Sequence, residues 1–97
     1  PHAVPHNPLG PVMTAAALQF AAGTQNVPLI EYPYRPRLGA APREDLLVEG
    51  FAREGGYLLV PEGPGLGVEL DESVLAESYT PREIRTRLGA DGSVVDQ

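Results

Sequence analysis

The sequence predicts an α/β chain organised around a β-helix-β crossover, and three observations carry that expectation. A proline-rich loop, VPHNPLGPV over residues 4–12, runs straight into the alanine-rich stretch VMTAAALQFAAG. NVPLIEY follows, a short run apolar on both alternating faces, as suits a strand of a parallel sheet covered on both sides. DLLVEGFAREGGYLLVP then places two apolar runs about an Arg53-Glu54-Gly55-Gly56 turn, the pattern of a hairpin.

Each element has its own local signal. Residues 1–10 form a rigid loop, because Pro5, Pro8 and Gly10 suit neither helix nor strand. Pro11 fits the first helical position, where its missing N–H would be unpaired anyway. Ala, Leu, Met and Gln carry the helix forward, and Gly23 is expected to stop it in the left-handed conformation. Val12, Ala15, Ala16 and Gln19 share one side of that helix; Met13, Ala17, Phe20 and Ala21 share another. So little polar surface predicts a mostly buried helix.

In the strand expected over residues 27–32, Val27, Leu29 and Glu31 face one way and Pro28, Ile30 and Tyr32 the other. RPRLGAAPRE reads as a loop and EGPGLG as a turn-rich link. LDESVLAESY reads as a short helix with Asp71 or Ser73 at its cap. Thr80, Pro81 and Glu83 have capping-box spacing, so PREIRTRL is expected to add a helical turn or two closed by Gly89. The tail GADGSVVDQ is expected to be extended.

Bulk properties bound the function. Ninety-seven residues make one small domain with a thin core, because such a chain buries only about 60 to 65% of its unfolded surface. A net charge of −6 argues against a nucleic-acid partner, which needs clustered Lys and Arg. No basic amphipathic helix suggests a membrane surface, and no apolar run reaches the roughly 18 residues of a spanning helix. With no cysteine, disulfides and thiolate zinc sites are excluded, and a reducing cytoplasm is compatible. The chain opens on Pro1 and runs directly into a histidine-proline loop, which reads as a piece of a longer protein.

Two side chains stand out chemically. His6 sits in the rigid loop before the helix, between Pro5 and Pro8, and an imidazole titrates near neutrality. Restricted torsions there would hold a general base within reach of one particular proton. The plainer reading of His6 is a loop histidine bonded locally. Glu31 ends the strand after the helix; facing an apolar interior it would be costly unless paired or protonated. Its plainer reading is a glutamate turned to solvent. In a parallel β-helix-β unit both residues reach the same rim, with strands about 4.8 Å apart.

Other candidates are weaker. Arg35 and Arg37 follow Glu31 at that rim and could meet an acidic substrate, or could simply be solvated. His2 and His6 have zinc spacing for a helix, but Pro5 and Pro8 forbid one there. GPGLG lacks the Lys and Ser or Thr of a phosphate loop and reads as a structural turn.

Taken together, PHNPLGPV, the alanine-rich helix, NVPLIEY and GYLLVPEGPGLGVELDE resemble the C-terminal end of the mandelate racemase-like branch of the enolase superfamily, and within it the acid-sugar dehydratases. The likeness runs from Pro5 to about Tyr79. It implies the C-terminal fragment of a (β/α)8 barrel (loop, helix, strand), followed by a hairpin and short helix that would pack on a capping domain. Residues 1–45 would be the last β/α units and 46–97 the tail. By resemblance His6 matches the histidine of a His-Asp dyad and Glu31 the acid ending the eighth strand, each catalytic, with Arg35 a candidate substrate contact.

The resemblance further implies proton abstraction beside a carboxylate, loss of a β-hydroxyl, and a Mg²⁺ ion whose ligands lie on barrel strands outside this chain. Glu31, in a closed apolar site, is then expected to have a raised pKa and to donate a hydrogen bond to the enediolate. Lacking the metal carboxylates and any lysine, the chain is expected to be inactive alone. Its partners would be an acid sugar, the remaining barrel and capping domain, and other copies in a homo-oligomer. A racemase or cycloisomerase, and a non-catalytic α/β interaction module, are the rival readings.

Overall fold

The computed structural model describes residues 1–37, 39, 41, 43–76 and 88–93. In chain order it contains helix α1 (Pro11–Ala22), a 3₁₀ turn (Glu44–Leu46), a two-stranded hairpin of β1 (Arg53–Glu54) and β2 (Tyr57–Leu58), and helix α2 (Glu72–Leu75).

Helix α1 begins as its sequence dictates. Pro11 occupies the first turn, and Gly10 accepts from the Met13 and Thr14 N–H groups at 3.1 and 3.3 Å. Its end differs from the expected left-handed stop. Gly23 stays right-handed, with φ −88° and ψ −1°, and closes by donating to the Gln19 carbonyl at 3.1 Å. The helix is also less covered than its composition predicts. Thr14, Ala15, Ala17 and Leu18 are buried, while Val12, Ala16 and Phe20 are exposed. The helix is apolar on both sides, and the described chain covers only one of them.

The strand expected over residues 27–32 does not form a ladder. Ala3 N–H donates to Asn26 O at 2.9 Å and Glu31 N–H to Pro5 O at 3.4 Å, so the two segments run side by side in the same direction. Pro5 and Pro28 lack the donors that would complete a parallel ladder between those bonds. The alternation holds only from residue 29 on, since Pro28 is exposed and Val27 half-buried. Ile30 and Tyr32 pack against the core, while Leu29 and Glu31 are exposed.

The core is one small cluster of Ala15, Leu18, Leu47 and Phe51, flanked by Ile30, Tyr32, Leu58 and Val68. It draws on residues from both sides of position 45. Tyr32 meets Phe51 edge-on, with centroids 6.3 Å apart at 87°. Leu47, read as part of the hairpin's first apolar run, instead bridges antiparallel to Leu70. Val48 N–H to Glu69 O (2.9 Å) and Asp71 N–H to Leu46 O (2.8 Å) extend that contact. The hairpin itself is confined to residues 52–59, with Arg53 paired to Leu58 and Glu54 to Tyr57. Arg53 and Glu54 are strand residues, and the loop is Gly55-Gly56 alone. Gly55 has φ +58°, the left-handed first position that a type II′ loop demands.

The turn-rich link is structural. Gly67 has φ +74°, and a Cβ there would lie 2.6 Å from Pro61 Cβ. Gln19 of α1 donates from Nε2 to the Pro61 and Leu66 carbonyls at 2.8 and 3.3 Å, pinning this turn to the helix. Asp71 caps α2 by accepting from Ser73 N–H at 2.9 Å, as its sequence suggests. The tail turns rather than extends at residues 89–93: Gly89 N–H reaches Ser93 O at 2.7 Å. All of the expected helix at PREIRTRL except Leu88, and the last four residues, lie outside the described residues.

Candidate functional site

The proline-rich loop and the segment after α1 meet at one place. His6 Nδ1 lies 2.5 Å from Glu31 Oε2, across 25 residues of chain. Four hydrogen bonds make this junction. Besides the His6 contact, Asn7 N–H donates to Glu31 Oε2 at 2.9 Å, Asn7 Nδ2 donates to Glu31 O at 3.1 Å, and Glu31 N–H donates to Pro5 O. Asn7 Nδ2 also donates to Thr14 Oγ1 at 2.8 Å, which ties the junction to the first turn of α1.

Sequence reasoning brings His6 and Glu31 to one rim, and they are in contact. It misjudges their surroundings. The side chains are 76% and 46% exposed, so Glu31 is not enclosed in an apolar interior. The raised pKa expected of Glu31 is overturned. The Asn7 N–H chiefly, then the His6 ring hydrogen bond, hold its carboxyl below the ordinary range, and the small desolvation does not offset them. Glu31 is therefore an anion at neutral pH. The Nδ1 atom of His6 donates to it, and Nε2 meets no hydrogen-bond partner among the described residues. An ionised Glu31 accepts hydrogen bonds and does not donate one.

Arg35 is exposed, and no described contact joins it to the pair; its carbonyl accepts from Gly39 N–H at 3.1 Å. Arg53, which sequence reasoning assigned to a turn, is the arginine that engages this region. It donates to Tyr32 Oη at 3.0 Å and Gly39 O at 2.9 Å, and sits 4.7 Å over the Tyr34 ring. Tyr32, next to Glu31, also donates to Glu44 Oε2 at 3.0 Å. Glu44 is 8% exposed and accepts from Ala41 and Phe51 N–H groups, both at 2.8 Å.

Asn7 and Glu44 are the two residues sequence reasoning missed. Asn7 had a signal, standing beside the candidate histidine in a rigid loop. Glu44 had none, because PREDLL reads as a solvated stretch. A cleft of about 530 Å³ between α1, residues 27–34 and the hairpin includes neither His6 nor Glu31 among its lining residues. Among the described residues no three His, Cys, Asp or Glu side chains group closely enough to hold a metal ion. The described donor set thus does not fit the magnesium ion that the resemblance implies.

The described structure thus sets the imidazole of the loop before α1 against a carboxylate. The Enolase C-terminal domain-like family matches residues 2–74, and the chain belongs to that family. It is 37% identical over 101 aligned residues to a D-galactonate dehydratase of Ralstonia nicotianae, covering 95% of this chain and 26% of the relative. It is 37% identical to a D-gluconate dehydratase of Thermoproteus tenax, over 81% of this chain and 16% of that protein. A D-galactarolactone cycloisomerase of Agrobacterium fabrum is 35% identical, over 80% of this chain and 22% of its own length. The chain thus spans about a quarter or less of these relatives. No solved structure matches it.

Proposed function

We propose that this chain is the C-terminal barrel segment of an acid-sugar dehydratase and that His6 and Glu31 work in its active site. The His6–Glu31 contact of 2.5 Å carries this reading. His6 Nε2 takes the proton α to the substrate carboxylate, and the C–H electron pair moves into the enediolate. The β-hydroxyl then leaves as water, taking the proton that His6 now carries, and the resulting enol rearranges to a 2-keto-3-deoxy acid. The dyad aspartate that the resemblance implies, in the remaining barrel, would hold the His6 tautomer, and Glu31 stands beside the ring as the second acid of the site. Arg35 is the candidate contact for the substrate carboxylate.

The remaining barrel strands and the capping domain supply the rest of the site, and magnesium with its ligands belongs to those parts. The 97-residue chain alone is expected to be inactive, and copies of it are expected to associate. Fourteen large apolar residues, Leu29 at 67% and Tyr57 at 78% among them, are exposed in the described region, more than its small core can offset. The test is to incubate the whole protein with acid sugars and assay for the 2-keto-3-deoxy product. Product formation abolished by His6→Ala supports the reading. No product from any acid sugar, or full activity in His6→Ala, refutes it.

Cycloisomerases among the relatives favour a second reading, in which the enediolate is reprotonated or closed rather than losing water. Exchange of the α-proton with solvent deuterium, without formation of a keto-deoxy acid, identifies that case.

A further inference from the structure

Arg53 reaches out of the hairpin to the stretch that follows Glu31. Its Nη1 donates to Tyr32 Oη at 3.0 Å and its Nη2 to Gly39 O at 2.9 Å. The guanidinium lies 4.7 Å over the Tyr34 ring, and Nη1 stands 3.7 Å from Glu44 Oε2. A solvated arginine behaves differently. Arg43 has a side chain 54% exposed and one ion pair among the described residues, to Asp45 at 3.5 Å, whereas the Arg53 side chain is 35% exposed.

The direction of these bonds is fixed by chemistry. A guanidinium only donates and an ionised carboxylate only accepts, so the Tyr32 hydroxyl accepts from Arg53 and donates to Glu44. Glu44 in turn accepts from Phe51 N–H, two residues before Arg53. Phe51, Glu44, Tyr32 and Arg53 thus close one ring of polar contacts between the hairpin and the stretch it grips. Tyr32 and Gly39 are the two ends of the stretch that carries Arg35 and Arg37, both exposed. That stretch is folded tightly on itself: Tyr34 N–H donates to Tyr32 O at 2.7 Å and Gly39 N–H to Arg35 O at 3.1 Å. One planar fork meets both ends, a task for which a lysine ammonium has the charge but not the shape.

We propose that Arg53 is a positioning residue for substrate binding: it latches both ends of residues 32–39 to the hairpin and so fixes where Arg35 is held. Arg53 itself touches no substrate. It acts through Arg35, and this consequence rests on the dehydratase reading with Arg35 as the contact for the substrate carboxylate. The latch is a property of this chain's own residues and is read without substrate.

Hydrogen–deuterium exchange of the whole protein, followed by mass spectrometry, reports the amides of residues 32–39. Arg53→Gln is expected to speed their exchange roughly tenfold, the scale of two lost hydrogen bonds, while peptides elsewhere keep their wild-type rates. Arg53→Lys is expected to give a smaller acceleration at the same amides. Unchanged exchange at 32–39, or faster exchange in every peptide alike, overturns the latch. Should Arg53→Gln fail to fold, Arg53→Lys decides, and wild-type exchange in that variant overturns it.

The kinetic consequence is a split. Arg53→Gln is expected to raise KM for the acid sugar roughly tenfold with kcat changed by about twofold or less, the mark of lost uniform binding. With Arg35→Ala already in place, Arg53→Gln is expected to add no further rise, because the two substitutions remove one interaction. An unchanged KM in Arg53→Gln, or an equal rise in the Arg35→Ala background, overturns the positioning role. A whole protein without dehydratase activity, but with faster exchange at 32–39 in Arg53→Gln, would refute the functional reading and leave the latch standing. Dehydratase activity with unchanged exchange would do the reverse.

Discussion

Replacing Glu44 by Gln tests the account of what holds the region behind Glu31. Glu44 is 8% exposed, and its two oxygens take three donors: Ala41 N–H and Tyr32 Oη on Oε2, Phe51 N–H on Oε1. Arg53 approaches at 3.7 Å. A glutamine of the same shape can present one oxygen only. Set toward the two donors on the Oε2 side, it turns an NH₂ group against Phe51 N–H and leaves that buried donor unpaired, at roughly 1–3 kcal/mol. The two surviving bonds change from charge-assisted to neutral, losing about 0.5–1 kcal/mol each.

The expected loss is therefore about 3 kcal/mol, a large share of the ~5–15 kcal/mol available to a small domain. Urea denaturation followed by circular dichroism reads it as a midpoint lower by roughly 2–3 M for a slope near 1–1.5 kcal/mol/M. The pH dependence has a definite sign. Burial is the largest single influence and raises the Glu44 pKa, but the Ala41 and Phe51 N–H groups, the Tyr32 hydroxyl and Arg53 together bring it below the ordinary value. A depressed folded pKa means stability present above the unfolded pKa and lost as pH falls through the folded one. Wild type should thus weaken on acidification below the usual glutamate range, and Glu44→Gln should lose that component. A Glu44→Gln midpoint within 0.5 M of wild type at neutral pH would refute the hub.

Three further outcomes follow from the packing and the pair. Leu18→Ala removes one of four residues of the central cluster and should destabilise by ~2–3 kcal/mol, measured by the same urea transition; the thin, partly open core keeps it at the low end of such substitutions. Gly67→Ala should cost ~2 kcal/mol or more, from a left-handed φ of +74° and a Cβ placed 2.6 Å from Pro61, and a stable variant would show that this turn can shift away from α1. Glu31, held low by Asn7 N–H and His6, should remain ionised as pH falls into the usual carboxylate range, and its pairing should fade only below that; a ¹³C carboxyl titration at or above the ordinary glutamate value would contradict the geometry.

The parts of the site legible in the sequence were those with local causes. Pro11 starts α1 because its own ring removes a donor that the first turn does not need. The period-2 pattern of residues 27–32 separated Ile30 and Tyr32 from Leu29 and Glu31, but expected both faces covered, and only the fold left Leu29 and Glu31 exposed. The left-handed stop at Gly23 failed because glycine permits that conformation without requiring it. Glu44 stayed hidden because its three donors come from residues 32, 41 and 51, and nothing in PREDLL announces them.

The sequence by itself determined the helix start, the presence of a hairpin turning near Gly55 and Gly56, the capped α2 and the family, since each depends on short stretches whose torsions and motifs are set residue by residue. Only the tertiary structure decided that His6 and Glu31 share a hydrogen bond, that Glu31 is anionic, and that Asn7 and Glu44 are buried, the one bonded to Glu31 and the other to its neighbour Tyr32. Protonation state and hydrogen-bond partnership belong to distances between atoms 25 residues apart in the chain, and those distances exist only once the loop, the helix and the segment after it are folded together.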